Sequence, residues 1–374
     1  MREGFITMIF ISFVVMLAID AYAFKGIKLL TKNLESSTLR QTFHFTYWSI
    51  TIIVMIIMFI VFTNFEYANK VKSYLVPFGT MAIIIMHVVP KLVFIAFHLV
   101  EDIGFLGIWG YKKVIPSAGE GNEIISRSTF LTKIGLTLAS AQLAGFAYGI
   151  VKGRYDFRIE KEIISFENLP KEFHGLKVAQ ISDIHIGSFF DNKDAVKKGV
   201  ELVNSLNADL ILFTGDLVNN YAWELDGMID TLKELKAPMG MFAVLGNHDY
   251  GDYVRWNSEK EKKQNLSDLL TKQEEIGFRV LMNETVKLEK NGATIDLIGI
   301  ENWGKGRFAK YGDLEKAING SSDENFQILM SHDPSHWDEE VLTKTNIDLA
   351  LAGHTHGMQF GIEIDRKSTR LNSS

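Results

Sequence analysis

The stretch Lys177-Val178-Ala179-Gln180-Ile181-Ser182-Asp183-Ile184-His185 decides the fold. Lys177–Ser182 reads as a short buried strand, and it ends on an acid and an imidazole two positions apart. The same grammar recurs downstream. Asp209–Thr214 runs into Gly215-Asp216, Gly240–Leu245 into Gly246-Asn247-His248-Asp249, Phe326–Ser331 into His332, and Leu349–Ala352 into Gly353-His354-Thr355-His356. Helical periods lie between: Val196, Val200, Val203 and Leu206 mark one helix face, Trp223–Lys236 is expected to be a helix, and Ser258–Ile276 a surface helix. Further strands are expected at Val286–Glu289 and Thr294–Ile300. Strands alternating with helices predict a layered α/β domain with a largely parallel sheet, whose sites form at the carboxyl ends of strands. Five strands would deliver Asp, His and Asn to one place.

Those residue types suit a metal centre. Carboxylate, imidazole and amide oxygen together favour divalent ions such as Mn²⁺, Fe or Zn²⁺. The chain has no cysteine, which excludes thiolate-ligated metals, a thiol nucleophile and a disulfide framework. Two ions about 3.5–4 Å apart need a shared carboxylate, and Asp216 is the natural bridge. A lone Asp-x-His is most simply a structural histidine; the ordered set, each member following an apolar run, is what points to chemistry.

The set D-x-H, GD, GNH[D/E], H and GHxH, running from Asp183 to His356, resembles the calcineurin-like metallophosphoesterases. Ile163–Pro170 leading into the first motif looks like the membrane-anchored or exported bacterial branch. The resemblance implies a four-layer αββα sandwich and a dinuclear site. Carried over, one ion would be held by Asp183, His185, Asp216 and His356, the other by Asp216, Asn247, His332 and His354. His248 would contact the phosphoryl oxygen or protonate the leaving group, with Asp249 orienting it. Asn219 stands where the family often has an acidic or amide supporting residue, and Met358 replaces a common glycine. The expected reaction is metal-assisted hydrolysis of phosphomono- or phosphodiesters by in-line attack of water. An amidohydrolase would instead be expected to open its site with H-x-H. The alternative is a non-enzymatic membrane protein with a relic metal site, for which a broken ligand set would be expected.

Residues 1–150 carry 12 basic and 8 acidic residues, whereas 151–374 carry 27 and 37, so an apolar, charge-poor part precedes an acidic one. The acidic part argues against a nucleic-acid partner. Four stretches, 4–24, 43–62, 78–100 and 129–150, have the roughly 20-residue apolar length of a transmembrane helix. This predicts a multi-pass cell-membrane protein whose partners are the bilayer and a phosphoester, one candidate class being lipid-linked. Lys25, Lys28, Lys32 and Arg40 after the first helix, and Lys112, Lys113 and Arg127 after the third, place those loops in the cytoplasm. Lys152, Arg154, Arg158 and Lys161 weigh the other way. Ser126–Leu131 followed by Lys133 resembles a twin-arginine export signal with a single arginine, which again sends the following domain, 152–364, out of the cytoplasm. Lys91, mid-helix, is expected to find a carbonyl or a carboxylate such as Asp20. Asp365–Ser374 resembles a translated sequencing-library adapter, so residues 365–374 are expected to be an artefactual tail and the sandwich C-terminally truncated.

Overall fold

The computed structural model describes residues 2–64, 72, 74–114, 124–306 and 308–355. His356, Met358 and everything expected of residues 360–374 lie outside them. The chain divides into two compact units, Met1–Arg158 and Ile159–Ser374.

The first unit is four helices: α1 (Arg2–Thr31), α2 (Ser37–Thr63), α3 (Leu75–Val114) and α4 (Ile124–Val151). Each contains one predicted apolar stretch, and all four are long and apolar enough to cross a membrane. Ser36 starts α2 by accepting the Leu39 N–H with its hydroxyl. The bundle is inverted relative to a soluble one. Phe45, Ile52, Ile56 and Phe59 point outward, whereas Asp20, Thr51 and His87 are buried. Outward leucine-class side chains are tolerable only against lipid, and inward polar groups must then satisfy one another.

They do so around Asp20 of α1. Its Oδ1 accepts Thr51 Oγ1–H at 2.9 Å and Tyr47 Oη–H at 3.1 Å from α2, and Oδ2 lies 3.1 Å from His87 Nε2 of α3. Lys91 Nζ donates to the same carboxylate, as the sequence predicts. A central lysine costs roughly 3 kcal/mol on insertion scales, and a carboxylate a similar amount, so the pair exists only as a pair.

The second unit holds two four-stranded sheets. The first is wholly parallel in the order β1 (Val178–Ile181), β2 (Leu210–Phe213), β3 (Met241–Ala243), β4 (Arg279–Val280). The second runs β5 (Glu284–Lys290), β6 (Ala293–Gly299), β7 (Phe326–Met330), β8 (Leu349–Leu351). Only its β5–β6 pair is antiparallel, closed at Asn291-Gly292, both of which have positive φ as a two-residue hairpin turn requires.

Strand alternation sorts the side chains into layers. Ile211 and Phe213 face Val196 and Val200 of α5 (Lys193–Ser205) and Leu269 and Ile276 of α6 (Glu259–Ile276). Leu210 and Leu212 point the other way, into a shared interior with Leu288, Ile295, Leu297, Ile328 and Met330 of the second sheet. Beyond that sheet, Ile298 and Leu329 pack on Leu314 and Ala317 of α7 (Leu314–Ile318). The order is helix, sheet, sheet, helix, the αββα sandwich expected from the family resemblance.

Two local expectations need correcting. Trp223–Lys236 is not one helix but a 3₁₀ turn, Ala222–Leu225, and a single α-turn, Ile229–Leu232, separated at Gly227 with φ +79°. Glu224 explains the break, because its carboxylate turns back to accept the N–H groups of Asn219, Asn220 and Tyr221 at 2.6–2.8 Å. The strands that end in motifs are also shorter than predicted, since residues such as Ser182 and Thr214 have left the ladder to shape the site, whereas Glu284–Lys290 extends beyond the expected Val286–Glu289.

Candidate metal centre

Each motif occupies the turn that leaves a strand, and the turns are strained. Asp183, His185, Asp216 and His354 all have positive φ, 52°, 45°, 60° and 71°. Non-glycine residues adopt this region at a cost, and such outliers persist where surrounding contacts over-determine them. The motif glycines permit the crowding: a Cβ on Gly215 would come within 2.6 Å of the Gly246 nitrogen, and one on Gly246 within 2.2 Å of Asp216 Oδ1. Asp249 supplies the restraint. Fully buried, it accepts Asp216 N–H and Gly246 N–H on Oδ2, and Leu217 N–H and Val218 N–H on Oδ1, at 2.9–3.2 Å.

Asp216 lies at the centre. Its Oδ1 accepts the His248 N–H at 2.9 Å, and its Oδ2 sits 3.6 Å from His185 Nε2 and 3.2 Å from His332 Nε2. The ligand atoms of His185, Asp216 and His248 lie within 4.8 Å of one another, as do those of Asp216, His332 and His354. Asn247 Oδ1 joins the second group, 3.1 Å from His332 Nε2. Asp183 is held beside them by the His354 N–H, 3.0 Å from Oδ2, and by the Ser182 hydroxyl at 2.5 Å. The structure thus brings together His185, Asp216, His248, Asn247, His332 and His354, with Asp183 adjoining.

This donor set fits divalent cations. One carboxylate oxygen approaches two imidazoles from different strands, and the rings are pre-set for ligation: His332 Nδ1–H donates to the Thr214 carbonyl at 2.7 Å, which turns Nε2 to the centre. Burial pushes His332 down, but the Asp216 carboxylate outweighs it and lifts the imidazole to about 9. His354 is lowered, by burial and then by the neighbouring His332 charge. A buried carboxylate that favours the charged form of the imidazole beside it is placed where a cation is favoured.

The expectation that Asp249 orients His248 is not what the geometry shows. His248 Nδ1–H donates to the Asn219 carbonyl at 2.7 Å, while the Asp249 oxygens hold the turn amides. Asn219 therefore supports the site through its backbone. Glu224, which fixes the Asn219 turn, and Tyr253, whose hydroxyl accepts Asn247 Nδ2–H at 2.7 Å, escape sequence reasoning because neither lies in a strand-end motif.

Residues 2–154 match the family described as "Probable Calcineurin-like phosphoesterase, transmembrane domain", and residues 176–358 match "Calcineurin-like phosphoesterase". The "Transmembrane protein with metallophosphoesterase domain" of Danio rerio is 28% identical over 66% of this chain, which spans 55% of that protein's length. The "Uncharacterized metallophosphoesterase YkuE" of Bacillus subtilis (strain 168) is 31% identical, with 63% of this chain and 78% of the relative covered. The "UDP-2,3-diacylglucosamine pyrophosphatase LpxG" of Chlamydia trachomatis is 30% identical, with 52% and 68% covered. With its strand-end motifs gathered around Asp216 and four apolar helices preceding them in the sequence, the chain belongs to the calcineurin-like metallophosphoesterases and carries that family's four-helix transmembrane domain.

Proposed function

We propose that the chain is a membrane-anchored phosphoester hydrolase whose centre holds two divalent ions, Mn, Fe or Zn, bridged by Asp216. The observation that carries this reading is the placement of Asp216 Oδ2 between His185 Nε2 and His332 Nε2. One ion would be held by Asp183, His185, Asp216 and His356, the other by Asp216, Asn247, His332 and His354. When bound, such a pair acidifies water and neutralises the phosphoryl oxygens. The chain's own residues do the rest. His248, its Nδ1–H committed to the Asn219 carbonyl, directs Nε2 to the site, where it can hold a proton for the departing alkoxide. Asp249 and Glu224 keep the strained turns from relaxing, so that the charged groups stay in place through turnover.

Substrates carried by or near the bilayer are the proposed class. The four helices support this, because tethering raises the local concentration of such esters, and so does the relative named as a UDP-2,3-diacylglucosamine pyrophosphatase. Lys25, Lys28, Lys112, Lys113 and Arg127 lie within helices rather than in loops but still flank the apolar stretches, and with the export-like Ser126–Leu131 they favour an extracytoplasmic catalytic unit. A cysteine replacing Lys262 in the otherwise cysteine-free chain should react with an impermeant thiol reagent once the outer envelope is opened; protection until the inner membrane is lysed would reverse the sidedness. The hydrolase reading is tested by chelating the purified protein and adding Mn²⁺ back with chromogenic phosphomonoesters and phosphodiesters. Turnover should vanish and return, and failure to cleave any of them would refute it.

A further inference from the structure

Asn247 presents a problem that the motif alone leaves unsolved. A carboxamide has an accepting end and a donating end of nearly equal shape, and its terminal torsion is broad and roughly two-fold. Only the oxygen can bind a cation. With Asn247 reversed, two N–H groups would face the position that Asp216 and His332 converge on, repelling a cation instead of holding it.

One contact breaks the symmetry. Asn247 is 5% exposed, and its Nδ2–H donates to Tyr253 Oη at 2.7 Å, leaving Oδ1 directed at His332 Nε2, 3.1 Å away. Tyr253 is itself fixed. Its ring lies against the His248 ring at a centroid distance of 4.6 Å, and the loop bearing it is tied by Gly251 N–H to the His248 carbonyl and by Trp256 Nε1–H to the Gly251 carbonyl at 2.8 Å. The residue is 49% exposed, so about half of its surface contributes little to the core. Its hydroxyl meets a buried ligand side chain.

We propose that Tyr253 is a positioning residue of the metal centre, whose hydroxyl takes the Asn247 Nδ2–H and thereby commits Oδ1 to the ion shared by Asp216, Asn247, His332 and His354. This rests on the dinuclear reading above. Hydrogen bonds that orient metal ligands are commonly worth 10–100-fold in metal affinity.

The test is a Mn²⁺ titration of the chelated full chain in detergent, resolving the two binding steps by calorimetry and electron paramagnetic resonance. Tyr253→Phe keeps the ring on His248 and removes only the acceptor. It should weaken one binding step by about 10–100-fold and leave the other within about threefold. Adding Asn247→Asp supplies an oxygen in either orientation, so the double variant should regain the lost affinity. Wild-type affinity for both ions in Tyr253→Phe, equal weakening of both, or no rescue by Asn247→Asp would each overturn the role of Tyr253. If the wild-type chain binds fewer than two ions, the dinuclear reading itself fails, independently of Tyr253.

Discussion

Asp249 is the residue whose removal separates an architectural role from a chemical one. Truncation to alanine strips the acceptor from four backbone N–H groups, those of Asp216, Leu217, Val218 and Gly246, in a fully buried setting. A buried donor left unsatisfied costs roughly 1–3 kcal/mol. The simple sum, about 4–12 kcal/mol, overshoots, because water entering the vacated space can serve some of these groups. A loss of about 3–5 kcal/mol is expected, a large part of the roughly 5–15 kcal/mol that stabilises a typical domain. Asp249→Asn keeps Oδ1 for two donors but turns an NH₂ toward the other two, so it should cost less, about 1–3 kcal/mol. The assay is a urea titration of the metal-free protein in mild detergent, followed by tryptophan fluorescence. Four of the six tryptophans, Trp223, Trp256, Trp303 and Trp337, lie in the second unit and report on it. Omitting metal keeps ligand linkage out of the comparison. The reasoning is refuted if Asp249→Ala unfolds within about 0.5 kcal/mol of wild type and loses only rate.

His248→Ala should retain bound metal and slow hydrolysis of an unactivated diester by about 10²–10⁴, while sparing esters with good leaving groups; full activity on the unactivated diester would remove it from the acid role. In the bundle, Asp20→Leu strands Lys91 without its carboxylate and should destabilise the helices by about 3 kcal/mol, whereas Asp20→Leu with Lys91→Met should recover most of that; a double variant no better than the single would show that the pair is dispensable. His336 is buried against Trp303 and its imidazole is held below the usual value, chiefly by burial. The unfolded chain then binds the proton more readily, so this contribution to stability is complete above about pH 6.5 and is lost on acidification. His336→Gln should flatten the acid limb of the stability profile, and an unchanged limb would assign it elsewhere.

How far the site was legible follows from where information sits in the chain. Asp183, His185, Asp216, Asn247, His332 and His354 each follow an apolar run, and strand register carries the first four to the carboxyl end of one sheet and the last two to the carboxyl end of the other. The inward lysine is legible too, since Lys91 in a span of apolar residues must find a carbonyl or a carboxylate, and Asp20 is a candidate within the first span. Residues that act through backbone amides were not. Glu224 reads as a helix residue and breaks the helix, and Asp249 reads as the partner of the histidine beside it but binds the Gly246 amide three positions back and the Asp216–Val218 amides about 30 positions back. Neither contact has a sequence period. Positive φ at His185 and His354 was equally invisible, because it is imposed by the turn rather than preferred by the residue.

The central claim, that Asp216 bridges two cations, is tested most directly by counting metal in purified protein. Wild-type chain loaded with Mn²⁺ and freed of excess should carry about two ions, and Asp216→Ala, identically treated, should retain almost none. A wild-type chain that holds at most one ion, or an Asp216→Ala chain that keeps two, would contradict the account.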